Sequence, residues 1–367
     1  MRIAIVLGSL RKAGTETQFV RLAKELQDHG NDVHLVVLRE NEENSSPLDA
    51  SGVTTHILGI TDGIFGLAGL GKSLTFIRNL RSLKPEIVIA ALPNTTTYAL
   101  TLTQLFLPRA IRIAAIRGVN LQRNPLILRA YSHTLRHAHK VICNAPHLRV
   151  QSIEKFELEP DSVVVIPNGV DIPIKPIRTA WPPKSCVTVA NFLPYKGHAD
   201  LIQALTLVDD PVELVFCGTG GIQVELENLA VKLGVRDQVK FVNNADVDLE
   251  LRKADFMVHP STTEGLSNAI LEGLAYGLPV IACDIPGNAT LVKDGTNGIL
   301  VEVSSPQSLG NAINTLTSNR NDFLAQAIAA GERAKNYSWE ICLLEYLKIF
   351  RIFKKDEIGA DDSRTPN

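Results

Sequence analysis

Two glutamates, Glu264 and Glu272, lie eight residues apart in a stretch dense in polar groups, residues 259–288. A carboxylate accepts two hydrogen bonds from neighbouring hydroxyl groups, so this pair suits a ligand with a hydroxylated ring on either side of a phosphate. Ser267 and Asn268 fall at the first turn of a predicted helix, where unpaired backbone N–H groups favour a phosphate. The alternative is structural: Glu264 caps this helix and Glu272 is a solvated surface residue.

A second motif, GLAGLGKS at residues 66–73, matches the P-loop pattern of nucleotide hydrolases. A P-loop needs a strand that runs directly into its first glycine and a helix that begins at its lysine and serine, here Lys72 and Ser73. The nearest predicted strand ends at Ile60, and five residues separate it from Gly66. We therefore interpret the match as a glycine-rich helix start and keep a nucleotide hydrolase as an alternative.

Short apolar runs alternate with amphipathic stretches along nearly the whole chain, which predicts strands and helices in turn. Such alternation is typical of a parallel sheet covered by helices on both faces. We predict seven strands in the first half, at residues 3–8, 33–38, 55–60, 86–92, 111–116, 140–144 and 162–167. Six more are predicted at residues 186–191, 212–218, 239–243, 255–259, 279–283 and 297–301.

Residues 168–185 interrupt this alternation with four prolines and no strand or helix period, which indicates a linker. The sequence thus predicts an α/β fold of two doubly wound, Rossmann-like domains that face each other across a cleft. We place these domains at residues 1–170 and 186–337, with the linker at 171–185. The polar residues 356–367 are predicted to be disordered.

The bulk composition is ordinary for a soluble globular protein, with 45% apolar and 21% charged residues. No apolar run reaches the roughly 18 residues of a membrane-spanning helix. The N terminus turns polar too soon for a signal-peptide core. The five cysteines are scattered without a C-x-x-C pair, which predicts buried, reduced thiols in a cytoplasmic protein.

Charge is unevenly distributed, although the net charge is −2. Residues 1–178 hold 21 Lys and Arg against 15 Asp and Glu, and residues 179–367 hold 16 against 24. Residues 109–149 alone hold eight basic side chains, four histidines and no acid. This segment suits an anionic partner such as a phosphate, a diphosphate or the inner face of the plasma membrane, bound peripherally. Its single aromatic residue, Tyr131, argues against nucleic acid, and a solvated basic helix face is the alternative.

Three motifs follow one another: VIPNGVD at 165–171, NFLPYKGH at 191–198 and EGLSNAILEGLAYGLPVIA at 264–282. In this order and spacing they resemble the GT4 family of retaining glycosyltransferases, which have the GT-B fold and an E-x7-E motif. The resemblance extends over about residues 2–350. It implies that a C-terminal helix, predicted at 338–354, crosses back to the N-terminal domain. The last motif most resembles bacterial members that build surface polysaccharides.

The resemblance implies roles for the residues that match. Glu264 contacts the sugar of the nucleotide-sugar donor near the reaction centre, Glu272 binds the ribose hydroxyls, and Lys196 neutralises the diphosphate. The N-terminal domain binds the acceptor. The remaining residues implied in binding the sugar donor are Gly14, Asn191, Gly218, Val242, Asn243, Gly265, Leu266 and Ser267.

Two positions depart from the family pattern. Five residues before Lys196 the family commonly has an arginine, but this chain has Asn191, and Leu193 supplies no replacement. The diphosphate site therefore lacks one cation, for which a basic residue in 109–149 is a candidate substitute. After the fifth strand many members have a histidine, where this chain has Arg117. We predict that Arg117 assists the leaving group or the acceptor; a surface arginine is the alternative.

The predicted function is retaining transfer of a sugar from a nucleoside diphosphate sugar, with UDP favoured, to a glycan or lipid-linked acceptor. Lys196 and the helix N terminus would stabilise the charge of the leaving group without a metal or another cofactor. Asp246 and Asp248 resemble a metal-binding D-x-D motif, but we predict that they start a short helix. The alternatives are a sugar-nucleotide epimerase of the same fold and a non-catalytic glycosyltransferase-like subunit.

Overall fold

The computed structural model describes residues 1–11, 13–39, 48–60, 67–118, 124–173 and 181–361. The chain divides into two compact units, one of Met1–Gly169 with Trp339–Asn367 and one of Val170–Ser338. Within the described ranges, no helix is both long and apolar enough to cross a membrane.

The first unit contains a parallel sheet of seven strands in the order β3-β2-β1-β4-β5-β6-β7. Its inner strands are apolar and largely buried on both faces, as continuous runs such as IAIVL predict, whereas the edge strand TTHI is partly exposed. The strands are β1 (Arg2–Leu7), β2 (Asp32–Val37), β3 (Thr54–Ile57), β4 (Ile87–Ala91), β5 (Ile111–Ile116), β6 (Lys140–Cys143) and β7 (Val163–Val165). The connecting helices are α1 (Gly14–Asp28), α2 (Leu67–Leu83), α3 (Pro93–Phe106), α4 (Pro125–Arg136) and α5 (Pro146–Phe156).

The second unit repeats this plan with a parallel sheet of six strands in the order β10-β9-β8-β11-β12-β13. The strands are β8 (Ser185–Val189), β9 (Glu213–Cys217), β10 (Val239–Val242), β11 (Phe256–His259), β12 (Val280–Cys283) and β13 (Gly298–Val301). The helices are α6 (His198–Ala204), α7 (Gln223–Lys232), α8 (Val247–Lys253), α9 (Asn268–Ala275), α10 (Pro286–Leu291), α11 (Pro306–Ser318) and α12 (Arg320–Lys335).

The C-terminal helix, α13 (Trp339–Asp361), returns to the first unit. Its buried side chains Trp339, Tyr346 and Phe350 join the core that α1 and the first sheet form. Gly169 lies against Trp339, the first residue of this helix. Only glycine fits at position 169, because a Cβ atom there would lie 2.4 Å from the Trp339 ring. The predicted return of the C-terminal helix is thus found.

Every one of the thirteen predicted strands overlaps an observed strand, and the predicted two-sheet α/β architecture is confirmed. All five cysteines are buried, as predicted. The prediction of disorder from residue 356 differs from the structure, in which α13 continues to Asp361. Residues 356–361 include Glu and Ala, which favour helix once a preceding turn exists; residues 362–367 lie outside the described part.

The P-loop motif does not have the setting that phosphate binding requires. Strand β3 ends at Ile57, nine residues before Gly66, and Gly66 itself lies outside the described residues. Helix α2 begins at Leu67, so Lys72 and Ser73 lie inside the helix and not at its N terminus. The predicted glycine-rich helix start is confirmed for residues 67–73.

Candidate functional site

The strand order of the second unit reverses between β8 and β11, which are neighbours in the sheet although far apart in sequence. The loops that follow two such strands diverge and leave a crevice at the carboxyl edge of the sheet. Lys196 lies in the short 3-10 turn after β8, and Glu264 lies in the loop after β11. The Lys196 Nζ donates to Glu264 Oε1 at 2.6 Å, so the fold joins two predicted site residues that are 68 positions apart.

Glu264 accepts a second strong hydrogen bond from a residue that the sequence analysis did not assign to the site. His259, the last residue of β11, places its Nε2 2.9 Å from the same Oε1 atom. Burial would raise the pKa of Glu264, but the hydrogen bonds and electrostatic attraction of His259 and Lys196 outweigh it and lower that pKa to about 2. Glu264 is therefore a fixed carboxylate at neutral pH.

The loop from Glu264 leads into α9 through a serine cap. Ser267 Oγ accepts a hydrogen bond from the Ile270 backbone N–H at 3.3 Å, so Ser267, and not Glu264, caps this helix. In the described part of the chain, the backbone N–H groups of the buried residues Gly265 and Leu266 donate to no protein acceptor. Two such groups beside a helix N terminus are suited to a phosphate oxygen.

Glu272 lies in the second turn of α9 and is half-buried. Burial, followed by the nearby charge of Asp171, raises the pKa of its carboxyl group to about 7. The alternative that Glu272 is a solvated surface residue is therefore wrong. Its carboxyl group is ready to ionise when a ligand supplies hydroxyl donors.

The loops after β8, β9 and β10 pack closely at the same edge of the sheet. The Gly218 N–H donates to the Val242 carbonyl at 3.3 Å, and a Cβ atom on Gly218 would lie 2.0 Å from the Ala190 carbonyl oxygen. Asn191 and Asn243 are exposed beside this contact. Gly220, which the sequence analysis did not single out, is required in the same way, because its Cβ would lie 2.4 Å from the Phe192 carbonyl oxygen.

Arg117, in the first unit, has partners that give it a structural role. Its Nη1 donates to Asn168 Oδ1 at 2.8 Å, its Nη2 donates to the Tyr346 hydroxyl, and its guanidinium lies 4.6 Å from the centre of the Phe19 ring. The alternative of a plain surface arginine is wrong, because these contacts tie α1 and α13 to the loop before the second unit. The predicted catalytic role of Arg117 stays a prediction, as does the predicted donor-binding role of Gly14, an exposed residue at the start of α1.

Much of the positive charge in residues 109–149 is also structural. Arg112, Lys140 and Arg149 donate to backbone carbonyl groups, and Arg136 pairs with Glu157. The exposed Arg129 of α4 instead lines a cavity of about 1140 Å³ in the first unit. Leu102, Leu126 and Ile127 give this cavity an apolar wall.

His133 and Arg136 of α4, with His137 directly after the helix, give the same cavity a basic wall. None of the described residues that line it is acidic. We refer to this space as the α3–α4 cavity.

Local geometry decides between the two interpretations of Asp246 and Asp248, which were a metal-binding D-x-D motif and the start of a short helix. Asp246 accepts a hydrogen bond from the Leu249 N–H and caps α8, and Asp248 pairs with Arg252 on the same helix. The prediction that these residues start a short helix is confirmed. No cluster of three or more potential metal ligands occurs among the described residues.

Comparisons with known proteins agree with this architecture. The family model "Glycosyltransferase Family 4" matches residues 13–173, and the model "Glycosyl transferases group 1" matches residues 175–336. An uncharacterized glycosyltransferase of Methanocaldococcus jannaschii is 27% identical over 71% of this chain and 73% of that protein. A D-inositol 3-phosphate glycosyltransferase of Geodermatophilus obscurus is 30% identical over 55% of this chain, which spans half of that relative's length.

Among solved structures, the Anabaena protein HepE in complex with UDP matches 96% of this chain and all of its own, with a TM-score of 0.81 and 19% identity. This likeness confirms the GT-B fold class, and the two family models identify the type of enzyme. The chain is a transferase of the glycosyltransferase type, with a GT-B fold and GT4-like sequence.

Proposed function

We propose that the protein transfers a sugar, with retention of configuration, from a nucleoside diphosphate sugar to a glycan or lipid-linked acceptor, and that UDP carries the sugar. The observation that supports this most strongly is the grouping of side chains and backbone N–H groups at the carboxyl edge of the sheet in the second unit. There Glu264, Lys196 and the backbone N–H groups of Gly265 and Leu266 meet at one helix N terminus. The Anabaena protein of similar fold was solved with UDP bound.

In this proposal, Lys196 and the two N–H groups contact the diphosphate and stabilise the charge that develops as the sugar leaves. Glu264 accepts hydrogen bonds from the transferred sugar, and Glu272 accepts them from the ribose. The backbone near Gly218, Val242 and Asn243 holds the base. The positive charge needed for departure comes from the protein itself, so the proposal includes no metal or other cofactor.

The acceptor is assigned to the first unit, where the α3–α4 cavity combines an apolar wall with basic side chains. Such a lining suits an acceptor that joins an apolar chain to a phosphate. A lipid-linked acceptor would be met at the cytoplasmic face of the membrane, where residues 109–149 make the peripheral contact that their charge predicts. We accordingly assign the enzyme to polysaccharide biosynthesis.

A thermal-shift screen with UDP-glucose, UDP-galactose, UDP-N-acetylglucosamine and GDP-mannose tests the proposal. At about 1 mM, a sugar donor with a Kd near about 10 μM stabilises the folded state by roughly 2.7 kcal/mol, a visible rise in Tm. The variant E264Q should keep the shift caused by UDP alone and lose the additional shift caused by the sugar. If none of these nucleotides raises the Tm of the wild-type protein, the proposal fails.

Release of free UDP separates the remaining alternatives. A transferase releases UDP faster when a membrane-lipid extract supplies the acceptor. An epimerase interconverts the UDP-sugars without releasing UDP, and a non-catalytic subunit binds them without turnover.

A further inference from the structure

His259 is a buried, ionisable side chain beside Glu264 to which the predicted motifs assign no role. It is only 1% exposed, because it ends the central strand β11 inside the second unit. Its Nε2 atom lies 2.9 Å from Glu264 Oε1 and 3.2 Å from Ser267 Oγ. One imidazole nitrogen thus contacts both the proposed sugar-binding carboxylate and the cap of α9.

The position of the imidazole proton follows from these partners. The ionised carboxylate of Glu264 can only accept hydrogen bonds, so His259 Nε2 must carry the proton and donate it. The other ring nitrogen, Nδ1, is buried without a hydrogen-bond partner in the described part of the structure. The hydrogen bonds of His259 therefore all lie on its Nε2 side.

Lys196 and His259 both donate to the same oxygen of Glu264, but they differ in mobility. Lys196 reaches Glu264 Oε1 at the end of a flexible side chain from a surface turn and keeps 17% of its side-chain surface exposed. His259 is buried at the end of β11 and carries its donor on a short, rigid ring. A diphosphate that attracts the Lys196 ammonium would therefore remove one of the two donors from Glu264 and leave the other.

We propose that His259 is a positioning residue for Glu264, which keeps this carboxylate ionised and correctly oriented when Lys196 moves from it to the diphosphate of the sugar donor. The Lys196–Glu264 ion pair is then the resting arrangement of the free enzyme. This inference rests on the proposed function and adds to it the residue that keeps the sugar-binding carboxylate in place.

The other groups that face this pair leave His259 as the remaining source of support. His198, at the start of α6, packs against the rings of Phe192 and Phe216, and burial, outweighing a backbone hydrogen bond, lowers its pKa to about 4. It is therefore neutral at pH 7. Ser267 is neutral at every relevant pH and already caps α9.

Two substitutions of similar size test the proposal, because they place an amide group at different ring positions. In H259Q the side-chain N–H₂ reaches the position of Nε2 and can still donate to Glu264, whereas in H259N it reaches only the position of Nδ1. We expect H259Q to keep kcat/KM for the sugar donor within about fivefold of wild type. We expect H259N to lower it by about 100-fold, roughly the loss of one hydrogen bond to a charged group.

Two further readouts distinguish positioning from folding. The Kd of UDP alone should stay within about twofold in both variants, since UDP lacks the sugar that Glu264 contacts. The activity of H259N should decline at a higher pH on the acid side than that of H259Q, because Glu264 loses a donor that favours its ionised form. Equal losses of kcat/KM in H259Q and H259N, or no loss in H259N, would overturn the proposal.

A measurement on the unchanged protein applies even if both variants fail to fold. Carboxyl signals of ¹³C-glutamate-labelled wild type, with Glu264 assigned from E264Q, report its pKa with and without UDP. We expect Glu264 to stay below its ordinary pKa when UDP is bound, because His259 remains. A rise to the ordinary value would contradict the proposal, whereas failure of UDP to bind at all would contradict the proposed function instead.

Discussion

Lys196 and Arg117 are both cations predicted for the site, yet the structure gives them different kinds of partner. Lys196, in the second unit, bonds to one carboxylate in a crevice and lies 5.3 Å from the centre of the Tyr195 ring. Arg117, in the first unit, bonds to an amide and a phenol and lies over a ring, in a partly buried network at the edge of the core. A ligand phosphate can replace the partner of Lys196, whereas replacing those of Arg117 would open the core. This difference indicates that the partners of a cationic side chain, more than its charge, decide whether it is available to bind a ligand.

The carboxyl edges of the two sheets differ in a related way. In the second unit, two polar loops meet at the reversal of strand order and bring opposite charges into contact. In the first unit, the corresponding reversal between β1 and β4 lies beside the α3–α4 cavity, whose described lining contains cations but no acid. One edge is suited to a charged, polar ligand and the other to an anion with an apolar part.

The largest effect on activity should come from replacing Lys196, whose carboxylate partner a ligand phosphate can replace. We expect K196M to lower kcat/KM for the nucleotide sugar by about 10²–10³-fold, because the diphosphate then leaves without its side-chain cation. Steady-state kinetics with the donor found in the thermal-shift screen measures this loss. The matched control is K240M in the same unit, whose lysine pairs with Glu213 at 2.7 Å on the surface and should change kcat/KM less than twofold. Similar losses of kcat/KM in K196M and K240M would contradict a specific role for Lys196.

Replacing Arg117, the cation with structural partners, should instead lower the stability of the folded protein. We expect R117M to lower the free energy of unfolding by about 2–4 kcal/mol, since the Asn168 and Tyr346 side chains lose a charged partner in a partly buried network. Urea denaturation measures this change, and R136M, which removes an exposed ion pair with Glu157, should cost less than about 1 kcal/mol. A folded R117M that loses activity without losing stability would instead support the predicted catalytic role of Arg117.

A smaller effect should follow from pH. Because Glu272 has a pKa of about 7 in the free protein, and because hydroxyl donors favour its ionised form, nucleotide-sugar affinity should rise as pH increases. Between pH 6 and pH 8 we expect a gain of roughly tenfold, and binding should release about one proton at pH 6 and almost none at pH 8. Isothermal titration calorimetry in two buffers measures both quantities. In E272Q the affinity should be lower and should lack this pH dependence.

The same carboxyl group also affects the free protein. Its folded pKa is raised above the unfolded value, so the folded state holds an extra proton between about pH 4.5 and pH 7. Stability from this group is therefore present at low pH and falls as pH rises through that window. E272Q should accordingly unfold at a higher temperature than wild type at pH 8 and at a similar temperature at pH 4, and the reverse order would contradict the pKa assignment.

The sequence predicted the framework well because each feature depends on nearby residues. Parallel strands buried on both faces need unbroken apolar runs, and those runs are visible in any one segment. Glu264, Lys196 and Ser267 could be named as candidate site residues because their motifs include the loops and helix start that position them. The P-loop match was interpreted as a glycine-rich helix start because the strand before it could be located in the sequence.

The features that the sequence did not predict depend on pairing between distant segments. Nothing near Arg117 indicates Tyr346 as its partner, since the two are 229 positions apart. His259 was predicted only as the end of a strand, and its contact with Glu264 needs the loop to fold back over five residues. The placement of His259 at a strand end near a candidate carboxylate was the one local signal. The requirement for glycine at position 220 likewise becomes visible only in the structure, where the Phe192 carbonyl group lies beside it.

The return of α13 has a consequence for synthesis on the ribosome. The core of the first unit includes Trp339, Tyr346 and Phe350, which are translated only after the whole second unit. A nascent chain that ends before residue 339 must therefore display an uncovered apolar surface on its first unit and leave the guanidinium of Arg117 without the Tyr346 hydroxyl. Early domains usually fold as they emerge, but here completion of the first unit waits for the last helix to be made.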